Sequence, residues 1–565
     1  MYVKITQSGP RRYVQLVESY RDASGRVKKR TVATLGRLDR LRGELDAVID
    51  GLLKATGREA LTAPPPPAVR FDSARALGDV WALNELWTSL GFHQLRQVFR
   101  STRHRIDVEA LIRVLVFNRL CDPDSKLGVL RWLETVALPG IETTAITHQQ
   151  LLRSMDALVD RQREVEALLA RRLRPLIDHE LSVVFYDLTT IRVEGRVDLA
   201  DDLRQFGMAK EGLIARQCLL GVIQTAEGLP IYHEVLAGNT AETTTLLATL
   251  RTVLERFPSV RRLILVADRG LLSLDNLEAL QAIRLPRGQA LEFIIAVPGR
   301  RYHEFVALLD DFHRQHCQAA HQEVIGELTW NDLRLVIAHD PVKAALQTQR
   351  RRESIAALET QAEQWADKLT AQDSGAKPRG RKLSDSGATA RFYHAVCEAR
   401  LSQILKVELK ADLFSYHLDE AAQQRAELMD GKLLLVTNTP DRSPAQIVER
   451  YKALADIERG FRVLKSEIEI GPIYHRLPAR IRAHAAICFL ALILYRVMRM
   501  RLKAANSDLS PERALESLRR IQYHRIRLDT DQPLTGISTI NHTQHEVFNA
   551  LTIKKPTVSR PLAVL

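Results

Sequence analysis

Two aspartates follow apolar runs that are typical of strands, and a glutamate and a lysine lie further along on a predicted helix. Asp187 closes the run VVFYD and Asp268 closes LILVAD, whereas Glu458 and Lys465 belong to YKALADIERGFRVLKSE, which begins at Tyr451. Mg²⁺ and Mn²⁺ prefer carboxylate, water and phosphate oxygens as ligands. Two such ions about 3.5–4 Å apart can clamp an in-line attack on a phosphodiester. The three carboxylates therefore form a candidate metal site for phosphodiester chemistry.

The run that begins at Tyr451 also has an ordinary structural interpretation. The spacing of Tyr451, Leu454, Glu458 and Lys465 predicts that they share one stripe of a single α-helix. Its buried face would consist of apolar residues of the same run: Leu454, Ile457, Phe461 and Leu464. Charged residues border the buried face of most surface helices, and aspartate at a strand end is common turn chemistry. Each acidic residue alone favours a structural role, and only the ordered set favours a metal site.

The charge balance of the chain indicates a polyanionic partner. Lys and Arg outnumber Asp and Glu by 81 to 68, which gives a net charge of +13 over 565 residues. Nucleic acid is the first candidate for such a partner, and an anionic membrane surface is the second. The start MYVKITQSGP lacks the apolar core of a signal peptide, and the longest apolar run, residues 485–495, is too short to span a bilayer. We therefore expect a cytoplasmic protein without a membrane partner.

The cysteines and histidines indicate no further metal site. The five cysteines lie far apart and form no CxxC pair, so neither a disulfide framework nor a zinc ribbon is predicted. HRQHC, residues 313–317, offers three possible zinc ligands, but no partner pair lies nearby in the sequence. A structural zinc is therefore not favoured.

The N-terminal part of the chain divides into three predicted segments. Residues 1–60 alternate apolar and polar around turn residues and then become helical, which predicts a β-meander followed by a helix. Residues 61–70 form a proline-rich linker. Residues 71–180 have helical periodicity and many arginines, so they are either a solvated helical bundle or a helical DNA-binding domain, and we predict the latter.

From residue 181 the pattern changes to apolar strands. LSVVFYD, LIARQCLLGVIQ and LPIYHEVL predict successive strands, and helices then alternate with RLILVAD and LEFIIAV. This order predicts an α/β fold with a mixed sheet covered by helices. Residues 181–299 and 431–500 would form this core, interrupted by an insertion domain at 300–430. Residues 476–527 look helical and basic, and 501–565 would be a C-terminal helical or tail region.

The ordered motifs resemble those of DDE transposases from bacterial insertion sequences. One group, which includes insertion-sequence-four-like elements, carries a Tyr-(2)-Arg-(3)-Glu-(6)-Lys signature on the last catalytic helix. Tyr451, Glu458 and Lys465 match this spacing, while Leu454 stands where the arginine is usual. FYDLTT and ADRG resemble the two aspartate motifs, and PIYHRLPARIRAHAAICFLALIL resembles the segment that follows the glutamate. The likeness spans about residues 1–555.

The resemblance implies a ribonuclease-H-like core with an insertion domain between the second aspartate and the glutamate. It implies that Asp187, Asp268 and Glu458 carry two Mg²⁺ (or Mn²⁺) ions. The implied activity is binding to the ends of the element, cleavage there and joining of the 3′-OH to target DNA. A homodimer on double-stranded DNA is the expected assembly.

The resemblance also assigns DNA contacts. Tyr451 and Lys465 would contact the phosphate near the cut, and Arg462, on an adjacent face of the helix, would replace the missing arginine. Two alternatives stay open. One is a metal-dependent nuclease that cuts without joining, and the other is a DNA-binding protein whose catalytic core has decayed.

Overall fold

A computed structural model describes most of the chain, which forms two compact units. The described residues are 1–41, 45–57, 69–100, 106–176, 182–195, 202–208, 214–257, 262–267, 274–285, 288–317, 321–375, 382–409, 412–528 and 533–557. One unit comprises residues 1–72 and 525–534, and the other comprises 73–524 and 535–565. Asp268 and most of the predicted proline-rich linker lie outside the described residues.

The N-terminal residues form the β-meander that their alternation predicts. The elements are β1 (Tyr2–Ser8), β2 (Arg11–Arg21), β3 (Val27–Arg37), α1 (Leu38–Leu41) and α2 (Leu45–Ala55). The three strands pair antiparallel in sequence order. Gly9 and Gly25 have positive φ angles in the two connecting turns, a conformation that glycine adopts without steric cost. Most basic side chains of β3 are exposed, among them Lys28, Lys29 and Arg30.

Helices with one large shared core follow. The elements are β4 (Val69–Ala76), α3 (Gly78–Ser89), α4 (Leu95–Phe99), α5 (Val108–Cys121), α6 (Lys126–Thr135), α7 (His148–Asp160) and α8 (Gln162–Leu173). Asp107 caps α5 by accepting from the N–H of Ala110, and Thr147 forms a capping box with Gln150 at α7. Buried residues of α3, α5, α7 and α8 belong to the same apolar cluster as buried residues of the large sheet. These helices therefore pack on the sheet through a continuous core.

Successive strands come first and strands that alternate with helices follow, as the apolar pattern predicts. The elements are β5 (Ser182–Arg192), β6 (Gln205–Met208), β7 (Ile214–Thr225), β8 (Pro230–Ala237), α9 (Glu242–Arg256), β9 (Leu263–Ala267), α10 (Leu274–Ala282), β10 (Glu292–Ala296), α11 (Val306–His316), β11 (Val324–Trp330) and β12 (Leu333–His339). The short strand β6, which pairs with β7, has no counterpart among the predicted strands.

A helical body with its own core leaves the sheet after β12 and returns to it at the next long strand. Its elements are α12 (Pro341–Asp373), α13 (Asp385–Glu398), β13 (Leu405–Val407), β14 (Tyr416–Leu418) and α14 (Glu420–Met429), after which β15 (Lys432–Thr437) re-enters the sheet. A separate apolar cluster fills this body: Ile355, Leu358, Ala362, Phe392, Val396, Leu401, Ile404, Leu405 and Ala422. Asp340 caps α12 by accepting from the N–H groups of Val342 and Lys343.

The C-terminal elements are mostly helical. They are α15 (Pro444–Lys452), α16 (Ala455–Ser466), α17 (Pro478–Ala504), α18 (Pro511–Arg519), β16 (Gln522–Leu528), β17 (Leu534–Ile537) and α19 (His542–Ala550). The helical prediction for 476–527 is wrong at its end, because β16 lies between β17 and β4 in a sheet. Ladder bonds from distant strands override the local pattern there. In the described residues, α17 is long and apolar enough to cross a membrane, but 89% of its apolar window is buried, as in a core helix.

Within the described residues, the largest sheet has nine strands and mixed directions. Its order is β11-β12-β15-β10-β9-β5-β7-β6, with β8 also paired to β7. The central strands β5, β9 and β10 run parallel, and the outer pairs are antiparallel. The fold is therefore mixed α/β. Two strands from the interval predicted as an insertion, β11 and β12, belong to this sheet. The separate core of the helical body begins only after β12. The predicted domain boundaries stay a prediction.

Candidate active site

Asp187 lies within β5 rather than at its end. The strand continues five residues further, to Arg192, paired with β7 alone, because the parallel pairing with β9 ends at Tyr186. Side chains alternate across a strand, so Asp187 shares a face with Phe185 and Ile191. Both of these residues belong to the cluster that also contains Phe461 of α16. Asp187 therefore lies on the face of the sheet that α16 covers.

The second aspartate follows the strand next to β5. Tyr186 of β5 pairs in register with Ala267, the last residue of β9. Asp268 itself lies outside the described residues. The described backbone thus aligns the residue before Asp187 with the residue before Asp268.

The predicted single helix of the Tyr-Glu-Lys run is interrupted. Tyr451 lies at the end of α15 and Glu458 lies in α16, with Ala453 and Leu454 between the two helices. Both linking residues keep right-handed helical dihedral angles, but the N–H of Leu454 bonds to the carbonyl of Tyr451, three residues back. The prediction that Tyr451 and Lys465 share one helix is therefore wrong. Tertiary packing of two short amphipathic segments replaces one continuous helix.

A close approach fixes α16 against the sheet. A Cβ atom on Gly460 would lie 2.5 Å from Nε2 of Gln224 and 2.9 Å from Nη2 of Arg496. Gln224 belongs to β7 and Arg496 to α17, and both side chains are buried. Only a glycine lets the helix axis come so near to these two side chains. The carboxylate of Glu458 is thereby carried on a helix whose distance from the sheet is fixed.

The chain after α16 ties the helix to β5. The N–H of Ile470 donates to the carbonyl of Leu464 at 2.9 Å. Ile473 then donates to the carbonyl of Arg192 at 3.0 Å and accepts from the N–H of Glu194 at 2.9 Å. The strand of Asp187 and the helix of Glu458 are therefore joined by backbone hydrogen bonds as well as by apolar packing.

The outer face of α16 combines acidic and basic side chains. Glu458, Arg462 and Lys465 are all exposed. At about 100° per residue, Arg462 lies about 40° and Lys465 about 20° round the helix axis from Glu458. Phe461 and Leu464 lie about 60° and 120° round the axis from Glu458, and both are buried. A carboxylate and two cations therefore share an exposed stripe that borders the buried face of the helix.

A buried histidine, His233, lies in register with Asp187 two strands away across the sheet. Asp187 pairs in register with Val222 of β7, and Val222 pairs with His233 of β8. The His233 ring stacks on Phe489 of α17 with 4.3 Å between centroids. Burial, with a smaller effect from the nearby Arg256, lowers the pKa of His233 to about 3. His233 is therefore a neutral, packed side chain near neutral pH.

The donor set fits a hard divalent cation. Asp187 is half-buried, and its Oδ1 accepts the N–H of Leu188 at 2.7 Å. Glu458 offers a second carboxylate, which is exposed. It lies on α16, the helix that packs against the sheet face of Asp187. Oxygen ligands of this kind suit Mg²⁺ or Mn²⁺ better than softer metals.

Comparison with known families identifies two matching family models in the chain. Residues 3–65 match the family model of the IS1634 family transposase, N-terminal domain. Residues 178–494, more than half of the chain, match the family model of the transposase DDE domain. The chain belongs to the DDE transposase family. Such domains generally use divalent metal ions.

One solved structure with a likeness to this transposase is titled "Cryo-EM structure of piggyBac transposase synaptic complex with hairpin DNA". It has a TM-score of 0.39 and 9% identity, and the alignment covers 78% of this chain and 79% of that chain. A search of curated proteins finds no match.

Three residues that fix α16 in the candidate site carry no recognisable motif: Gln224, Gly460 and Arg496. Only Gly460 leaves a trace in the sequence. A glycine inside a helical pattern costs about 1 kcal/mol relative to alanine, so its presence points to close packing or to function. Gln224 and Arg496 come from distant parts of the chain, and only the fold brings them together.

Proposed function

We propose that this transposase binds the ends of an insertion sequence, cleaves them and joins the freed 3′-OH ends to target DNA. The observation that carries the proposal is the shared sheet face of Asp187 and the α16 helix of Glu458. The register of Tyr186 with Ala267, which precedes Asp268, supports a third carboxylate beside them. A set of two strand aspartates and one helix glutamate is what the family resemblance implies for catalysis.

We propose that Asp187, Asp268 and Glu458 hold two Mg²⁺ (or Mn²⁺) ions. When bound, such ions activate the attacking oxygen and stabilise the leaving oxygen of a phosphodiester exchange. The protein's own contribution is to fix the carboxylates: Asp187 by the antiparallel pairing of its strand with β7, and Glu458 by the close packing at Gly460. Rigid elements hold a reacting geometry better than loops do.

DNA contacts are assigned to the stripe beside Glu458. Lys465 and Arg462 are exposed cations on that stripe, and either can pair with a phosphate next to the cut. Tyr451, near the end of the preceding helix α15, is half-buried and is assigned a phosphate contact by the family resemblance. We place this chain in the group with the Tyr-Arg-Glu-Lys signature, with Leu454 in the arginine position and Arg462 as its replacement.

Further DNA contacts are assigned to the N-terminal region. The exposed basic side chains of the meander and the arginine-rich helices of residues 71–180 would neutralise phosphates of the element ends. The net charge of +13 supports a nucleic-acid partner. We further propose a ribonuclease-H-like core, a homodimer on the DNA and a cytoplasmic location.

The test uses the full chain with Mg²⁺, duplex DNA that carries the element ends with flanking sequence, and a target plasmid. We expect cuts at the element ends and joined products. Asp187→Asn, Asp268→Asn and Glu458→Gln should each lower cleavage and joining together, by a hundredfold or more if a ligand is lost or displaced by about 1 Å. DNA binding in a gel-shift assay should persist in all three variants, because less negative charge faces the phosphates.

Two outcomes favour the alternatives instead. Cuts at the ends without joined products in any condition would indicate a nuclease rather than a complete transposase. DNA binding without cuts, in Mg²⁺ and in Mn²⁺, would indicate a decayed catalytic core.

A further inference from the structure

Away from the carboxylates, two residues at the end of α11 and a histidine at the end of β12 converge. One possible ligand atom from each of His313, Cys317 and His339 lies within 4.8 Å of the others. His313 and Cys317 are four residues apart at the end of α11, so both point to one side. His339 is the last residue of β12. In the sequence HRQHC has no nearby partner, but the fold supplies one.

Two residues of the cluster are buried, His313 is half-buried, and one ring nitrogen has no hydrogen-bond partner among the described residues. Cys317 is 5% exposed and His339 is 3% exposed. Nδ1 of His339 is buried, and among the described residues it has no hydrogen-bond partner. An unpaired polar atom in the interior costs free energy, and most such atoms in folded proteins have a partner. A bound cation would supply the missing partner.

We propose that His313, Cys317 and His339 form a binding site for a transition-metal ion, with Zn²⁺ as the first candidate. Imidazole nitrogen and thiolate sulfur are the ligands that zinc prefers, whereas Mg²⁺ prefers oxygen. Three protein ligands leave a fourth position of the tetrahedron for water or another donor. The site therefore differs in chemistry from the carboxylate site, which is built from oxygen donors.

Lys432 competes with the metal for the same place. Its Nζ lies 3.1 Å from Nδ1 of His313 and donates to the carbonyl of Leu428 at 2.6 Å. Lys432 is also the register partner of His339 on β15. The ammonium repels a second cation, so metal binding requires this side chain to turn away. Removing the ammonium should therefore strengthen metal binding.

The site lies at the root of the helical body that leaves the sheet. His339 directly precedes Asp340, the N-cap of α12, and Lys432 begins β15 where the chain returns. Strands β9, β10 and β15 separate β12 from β5, so at about 4.8 Å per strand the cluster is roughly 19 Å from Asp187 across the sheet. A metal here would fasten α11 to the point where α12 departs.

The test titrates the full-length, metal-free protein with Co²⁺, a spectroscopic substitute for Zn²⁺. A thiolate-to-cobalt charge-transfer band that saturates at one ion per chain supports the site, since carboxylate-bound cobalt gives no such band. Cys317→Ser should abolish the band, and His339→Gln should weaken binding at least tenfold. Two matched controls should keep the band: Cys397→Ser, at an exposed cysteine, and Asp187→Asn, in the carboxylate set.

Two further measurements make the result decisive without relying on the fold of one variant. Lys432→Met should bind Co²⁺ at least tenfold more tightly than the parent. Zn²⁺ should displace the cobalt band and raise the thermal unfolding midpoint of the parent but not of His339→Gln. Absence of a saturable charge-transfer band in both the parent and Lys432→Met would overturn the proposal, as would a band that survives Cys317→Ser.

Discussion

Tyr186 of β5 and Ala267 of β9 are register partners in the parallel pair at the centre of the sheet. Each of them directly precedes one of the two aspartates in the sequence. Paired strands lie about 4.8 Å apart, so the backbone that leads into Asp187 and the backbone that leads into Asp268 are neighbours. The residues directly before the two aspartates thus occupy adjacent positions in the sheet, which is consistent with the proposed shared metal site.

The choice of Glu458 as the third carboxylate can be tested on its own helix. Glu458→Asp shortens the side chain by one methylene, and a displacement of about 1 Å can cost around a hundredfold in cleavage rate. Asp456→Asn is the matched control, because two residues along a helix correspond to about 200° round its axis. Single-turnover cleavage should fall in the first variant and persist in the second. The reverse pattern would mean that the wrong carboxylate has been assigned.

The DNA contacts on α15 and α16 should affect rate rather than metal dependence. Lys465→Ala and Tyr451→Phe should each slow end cleavage by up to the value of a charge-assisted contact, about 1.5–3 kcal/mol. The Mg²⁺ concentration for half-maximal rate should stay unchanged. Lys452→Ala is the control, because Lys452 already pairs with Glu323 at 2.7 Å and exposed pairs contribute little. If all three variants cleave at the rate of the parent protein, the charged stripe has a structural role alone.

Gly460 should resist a substitution that normally stabilises helices. Replacing a helix-interior glycine by alanine gains about 1 kcal/mol by propensity. In Gly460→Ala, however, the new methyl group meets buried Gln224 and Arg496, and such overpacking costs about 1–3 kcal/mol. We expect a lower thermal midpoint and slower cleavage with DNA binding retained.

Gly51→Ala on α2 provides the comparison for Gly460, since a Cβ there meets nothing within 4 Å. Its thermal midpoint should rise or stay unchanged. If both alanine variants gain stability, α16 is not held at the distance from the sheet that the Gly460 contacts indicate.

His233 should make the protein sensitive to mild acid. Burial lowers its pKa from the ordinary value of 6.5 to about 3, so between these values the unfolded chain binds a proton that the native state does not. Stability is therefore lost as pH falls below about 6.5, by about 1.4 kcal/mol per pH unit, or roughly 2 kcal/mol from pH 7 to pH 5. His233→Phe keeps an aromatic contact with Phe489 and removes this contribution. Thermal midpoints at pH 7 and pH 5 should differ less in the variant, and an equal drop would contradict the buried neutral state.

Local pattern predicts much of the fold because it reports burial. Strand periodicity identifies β5, β7 and β8, and the apolar run ending before Asp268 identifies β9. The membership of β11 and β12 in the main sheet follows instead from the pairing of β12 with β15, a strand almost a hundred residues later, and of β11 with β12. Local alternation does not specify a distant partner, so the sequence pattern leaves that arrangement open.

The candidate site is predictable in its residue types and less so in its geometry. The spacing of Tyr451, Glu458 and Lys465 correctly predicts that the last two lie on the same face of one helix, α16. The interruption at Ala453 and Leu454 is invisible in the sequence, because both residues keep helical dihedral angles and only the hydrogen bonds change. Long-range contacts decide where a helix with continuous periodicity breaks.

The junction at β12 and β15 has a consequence for how the helical body is attached. The two strands are antiparallel neighbours, His339 faces Lys432, and the N–H of Asp340 donates to the carbonyl of Gly431 at 2.9 Å. Entry and exit of the body thus meet where an ordinary hairpin needs only a two-residue turn. None of the described strands of the large sheet lies within residues 341–430. A lineage could therefore enlarge or exchange most of the body without altering a strand of the sheet, whereas Leu428 and Met429, at its end, pack on the core of the sheet and are constrained by it.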